Sequence, residues 1–124
     1  MTRWLLPILA VSMSGCVLGY GRCKFLEPVK TSLTGRVYYR DFRSADRFDR
    51  APILVLDQTE YIYAPAQSKQ CLSAHEVQLI PLGDLPDEVA EKAHVVVKGS
   101  LVEASQNHQH TRFVFNVAAV RLIK

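Results

Sequence analysis

From residue 33 onward the chain is a succession of β-forming runs separated by polar stretches, and that pattern decides most of what it can fold into. Leu33-Thr34-Gly35-Arg36-Val37-Tyr38-Tyr39-Arg40-Asp41-Phe42 is rich in β-formers, and its internal Gly35 suggests a bulge or sharp bend. Ile53-Leu54-Val55-Leu56 is a short apolar run and Glu60-Tyr61-Ile62-Tyr63 alternates, so 53–63 reads as one long strand or two short ones. Glu76 to Pro81 reads as a third strand, with Val77, Leu79 and Pro81 on one face. Val95 to Glu103, which contains Gly99, and Arg112 to Ile123 are the strongest strand signals. The last of these is nearly continuously apolar, as expected of a strand buried on both faces. Residues 43–51, 64–74 and 104–111 are polar and read as loops. Between the third and fourth strands a short helix is expected. Asp84 suits its N-cap, Pro86 its first turn, Asp87 and Glu88 its positive end, and Lys92 and His94 its last turn.

The order is strand, strand, strand, short helix, strand, strand. It resembles the OB-fold, a five-stranded, partly open barrel, and the resemblance implies a mainly β domain with one short helix. Gly35 and Gly99, inside the first and fourth strands, fall where such a barrel bends. An open α+β sheet with one helix on a face fits the same element order. The 124 residues suffice for one domain, and 48% apolar against 22% charged residues is an ordinary globular balance.

The first residues are of a different kind. Met1-Thr2-Arg3 is a short positive start, followed by the uncharged apolar run Trp4 to Val11. Eight residues fall well short of the roughly 20 that span a bilayer, so the run reads as the apolar core of an export signal. Met13-Ser14-Gly15-Cys16 then resembles the lipobox of bacterial lipoproteins, with Met13 in place of the usual Leu. The resemblance implies a leader over residues 1–15, and a thioether-linked diacylglycerol with a further acyl chain on Cys16. Each buried CH₂ contributes about 0.8 kcal/mol, so two or three chains hold a protein at a membrane essentially permanently. Val17, where an Asp would favour inner-membrane retention, implies the periplasmic face of the outer membrane. The other reading is an ordinary secretory signal cut elsewhere, with Cys16 incidental. The expected organisation is leader 1–15, lipidated tether 16–30 and one domain over 31–124.

Three cysteines are an odd number for an exported chain. With Cys16 taken by lipid, Cys23 and Cys71 are left to pair in an oxidising compartment. The alternatives are free thiols or a metal pair, and no C-x-x-C spacing supports a metal.

Lys98-Gly99-Ser100-Leu101-Val102-Glu103-Ala104, then His108-Gln109-His110-Thr111 and an apolar strand, is similar to the end of an uncharacterised family of small exported bacterial domains. That family's pattern is a G-x-L-x-x-A segment, a His-His-Thr-type turn and a hydrophobic final strand. The Leu33-Thr34-Gly35 start is similar too, whereas Cys71 lies downstream of the family position. The resemblance implies location and fold and carries no activity.

Two constellations bear chemistry. His108 and His110 are two apart, so in a hairpin they point to one face, where they would share Zn²⁺ or Cu²⁺ with help from Asn107 or Glu103. The plainer reading is a polar loop whose side chains hydrogen-bond the turn. Arg36, Arg40, Arg43, Arg47 and Arg50 are interleaved with Tyr38, Tyr39, Phe42 and Phe48, a mixture suited to protein, glycan or phosphate contacts. Here the plainer reading is a solvated loop, because Asp41, Asp46 and Asp49 offset three of the charges. His75 and His94 read as ordinary loop or helix-end residues. The net charge of +3, which becomes +2 once Arg3 leaves with the leader, is too mild for nucleic acid. No G-x-S-x-G, H-E-x-x-H or P-loop pattern is present, so no catalytic activity is expected. The expected function is a lipid-anchored periplasmic module without cofactor. It would hold an envelope protein or glycan through loops 43–51 and 104–111, in one form as an inhibitor or immunity protein. The alternative is a metal-binding lipoprotein using His108 and His110.

Overall fold

A computed structural model describes residues 23–44, 47–81, 85–105 and 109–124, without the side chains of Ser44 and Arg47. The leader, Cys16, Asp84 and His108 lie outside the described residues. Among the described residues there are five strands: β1 (Thr31–Ser44), β2 (Arg47–Ala64), β3 (Gln70–Pro81), β4 (His94–Glu103) and β5 (Phe113–Leu122). They form a closed barrel in the order β1-β2-β3-β5-β4. All pairings are antiparallel except β3 with β5. The open-sheet alternative is therefore set aside.

Period-two alternation sends Leu33 and Val37 of β1, Leu54 and Leu56 of β2, Val77 and Leu79 of β3, and Val95 and Val97 of β4 into one core. Phe113 and Phe115, both fully buried, supply its largest side chains. Only the start of β5 is buried on both faces. Asn116, Ala118 and Ala119 are exposed, so the expectation of a wholly buried last strand fails beyond Phe115.

Gly35 and Gly99 sit at the two tightest places. Gly35 pairs with Leu56 of β2 and Val95 of β4 at once, and an added Cβ would strike the Val55 carbonyl. Gly99 lies at the register shift between β4 and β5, where a Cβ would strike the Asn116 carbonyl. Both are close backbone approaches that exclude any side chain.

The expected helix is not observed: residues 85–93 form a chain of turns. Val89 N–H donates to the Pro86 carbonyl and Ala93 N–H to the Ala90 carbonyl, each a three-residue step. Two further backbone bonds tie the segment to β1, Lys92 N–H to the Val37 carbonyl and Val37 N–H to the Ala93 carbonyl. An isolated helix of nine residues is marginal, so bonds to a neighbouring strand outweigh local signals. Val89 still plugs the core, at 4% exposure.

Residues 43–51 are also not a loop. Residues 43–44 and 47–51 are strand, and the β1–β2 ladder runs out to Ser44↔Arg47. The stretch 70–74, expected as loop, pairs with 60–64 of β2. Residues 23–27, expected as tether, are part of the barrel wall. The β1–β2 pairing ends at Gly35↔Leu56, which leaves the far half of β2 without β1. The segment fills that gap: Lys24 N–H donates to the Tyr61 carbonyl, Tyr63 N–H to the Lys24 carbonyl, and Glu27 N–H to the Leu101 carbonyl of β4. A disulfide joins Cys23 to Cys71 of β3, with an S–S distance of 2.09 Å.

Candidate functional site

The β1–β2 ladder extends beyond the barrel wall as a two-stranded ribbon, and strand alternation gives this ribbon two different faces. The outward face carries Tyr38, Arg40 and Phe42 from β1 and Asp49, Ala51 and Ile53 from β2. Their neighbours Val37 and Leu54 point into the core. The row continues through Gln78 of β3 and Val114 of β5, which lie in register with Ile53. An outward row on a barrel is expected to meet solvent, yet Ile53, Gln78 and Val114 are no more than 4% exposed.

The β4–β5 connection lies against this row. His110 stacks on Phe42 with ring centroids 3.9 Å apart and planes 3° from parallel. Its Nε2 lies 3.1 Å from Asp49 Oδ2, and since the carboxylate accepts, this nitrogen carries the proton. The pair is largely covered, at 18% and 25% side-chain exposure. His110 N–H donates to Gln78 Oε1 at 2.7 Å, Gln78 N–H donates to Thr111 Oγ1, and that hydroxyl donates to the Phe113 carbonyl. Arg40 reaches across β2 to place its guanidinium 2.9 and 3.1 Å from the two Glu76 oxygens. At the base of the connection the Glu103 carboxylate accepts from the Ala66 and Gln67 amides of the β2–β3 turn. The β4–β5 connection is thus fastened to three other parts of the chain. Among the described residues no fully buried side-chain polar atom lacks a partner.

The opposite face of the ribbon is open. Asp41 and Arg50, cross-strand partners, form an exposed ion pair at 3.0 Å. Beyond them Arg43 lies over the Phe48 ring, 5.1 Å from its centroid, and Phe48 is 53% exposed. Nearer the barrel Tyr39 turns inward. Its hydroxyl donates to the Val89 carbonyl at 2.6 Å, and its N–H donates to Glu91 Oε1. Burial pushes the Tyr39 phenol above its ordinary pKa, Glu91 adds to the shift, and Arg50 opposes it.

The five arginines therefore do not make one patch. Arg36 turns toward the 85–93 segment, donating to the Lys92 carbonyl, and helps line a separate open cleft of about 600 Å³ with Glu91, Lys92, His94 and Lys124. Arg40 is on the outward face and Arg43 and Arg50 are on the other. The side chain of Arg47 lies outside the described residues. His110 is brought to a carboxylate and an aromatic ring, and no group of three or more potential metal ligands occurs among the described residues. His94 Nε2–H donates to Asp57 at 2.7 Å, and His75 lies 3.0 Å from Thr59.

No protein-family model matches this chain, and no curated protein is significantly similar to it in sequence. Sequence reasoning did not single out Glu76 and Gln78, and it named Phe42 and Asp49 only within the arginine-rich stretch, not as partners of His110. Their roles depend on the tertiary register, because Gln78, Glu76 and Asp49 meet their partners across 32, 36 and 61 residues of chain, and Phe42 likewise meets the distant His110.

Proposed function

We propose that this protein is a lipid-anchored binding module of the cell envelope, facing the periplasm from the outer membrane, with an OB-like barrel as scaffold. Its recognition element is the open face of the β1–β2 ribbon. The supporting observation is the pairing of a half-exposed Phe48 with an overlying Arg43 at the end of a ribbon whose back is pinned by His110. Aromatic and arginine side chains dominate the energetic centres of interfaces, and a pre-ordered presentation removes part of the entropy cost of binding. In OB-like barrels the connections after the first and fourth strands flank the usual binding surface. Here the β4–β5 connection is tied to the β1–β2 ribbon through Phe42 and Asp49. The partner is an envelope protein, and a projecting ribbon suits insertion into the cleft of an exported hydrolase, as an inhibitor or immunity protein would do.

The test is affinity purification of the lipidated protein from detergent-solubilised envelopes, with chelator present. Wild type is expected to retain a stoichiometric protein partner, and Arg43→Ala/Phe48→Ala to lose it while melting like wild type. Equal recovery with both would remove the ribbon from the interface. Loss of all binding in chelator would favour the metal-dependent alternative built on His108 and His110.

A further inference from the structure

A second exposed aromatic group lies at the other end of β2. Ile62 points into the core, so Tyr61 and Tyr63 point outward. Phe25, from the segment paired alongside, joins them, its ring centroid 5.9 Å from that of Tyr63. Tyr63 is the cross-strand partner of Cys71, so the aromatics gather around the Cys23–Cys71 disulfide. Phe25 and Tyr61 are each 49% exposed, and Val29, a few residues along the same segment, is 47% exposed. These are three of the four most exposed large apolar side chains among the described residues, and the fourth is Phe48 on the ribbon. Lys69, whose N–H donates to the carbonyl of Ala64, the residue after Tyr63, is exposed in the turn before β3.

We propose that Phe25, Tyr61 and Tyr63 are the surface with which the domain rests on the bilayer. The inference rests on the lipid-anchored reading above. Its second support is chain length: Cys23 follows Cys16 by seven residues, which reach at most about 25 Å. The anchored domain is therefore held with its disulfide region close to the headgroups. The chemistry suits that position. Tyrosine rings collect at membrane interfaces, with the ring among the upper acyl segments and the hydroxyl among the headgroups. An exposed lysine such as Lys69 meets lipid phosphates. Apolar area that would be a liability in water is covered by lipid. The ribbon, at the opposite end of β2, is left for a partner.

The chain's one tryptophan, Trp4, leaves with the leader, so an introduced tryptophan reports alone. Lipidated Phe25→Trp and Phe48→Trp proteins are reconstituted into phosphatidylethanolamine/phosphatidylglycerol vesicles containing lipids brominated near the glycerol end. Phe25→Trp emission is expected to shift to the blue and be quenched, with Phe48→Trp unaffected. Tyr61→Trp repeats the measurement should Phe25→Trp disturb its segment. A blue shift without quenching means that protein, such as a second copy, covers the surface, and overturns the proposal. Equal emission from both variants on vesicle-bound protein also overturns it and leaves the anchor intact. A mature mass lacking the diacylglycerol on Cys16 overturns the anchor itself, and this orientation with it.

Discussion

Tyr39 illustrates how one side chain reports on its surroundings. Its hydroxyl satisfies the Val89 carbonyl and its amide engages Glu91, so it fastens the turn segment 85–93 to β1. Burial first, and the Glu91 carboxylate second, hold its phenol above the ordinary value of 10.0. On raising the pH, the unfolded chain ionises before the native one does. The stabilisation tied to the neutral phenol is thus whole below the unfolded value and is lost as pH rises through the native value. Urea unfolding from pH 8 to 11 should show a midpoint that falls more steeply for wild type than for Tyr39→Phe. At neutral pH that variant should lose about 1 kcal/mol, the usual net worth of one hydrogen bond. Parallel slopes would mean that Tyr39 ionises equally in both states.

The ribbon and the β4–β5 connection meet through few atoms, so their coupling can be measured as such. Phe42→Ala and His110→Ala, singly and together, form a double-mutant cycle whose interaction term is expected at about 0.5–1.5 kcal/mol. A term near zero would show that the stack does not join the two elements. This junction also marks where sequence reading stops. The core strands were readable because alternation and β-branching have a physical cause, burial of one face. Among the described side chains of 43–50 none is a buried apolar one, so the outer ribbon reads as loop. The turn segment carried helix-start signals in Pro86, Asp87 and Glu88, but these suit a turn equally well. The bonds that decided the matter come from Val37, some 50 residues away. His110 was picked out for its chemistry. That it would face Asp49 and Phe42 depended on a register that composition does not encode.

On the scale of the molecule, the Cys23–Cys71 link spans 48 residues and ties the segment 23–27 to β3. Limiting the unfolded chain over that length contributes about 4 kcal/mol. Cys23→Ser/Cys71→Ser, compared with wild type by urea unfolding without reductant, should lose an amount of that order. A much smaller loss would mean that the segment is held by its strand-like hydrogen bonds alone. The strand order has another outcome. β5 is the last of the five described strands to be synthesised, and it lies between β3 and β4, pairing with both. A chain growing from its amino end can lay down four strands and still have an unclosed wall, lacking Phe113 and Phe115 from its centre. Closure waits for the final segment to emerge. Folding therefore depends on non-local pairings of the last of these strands, which makes barrel closure slow relative to the local β1–β2 hairpin.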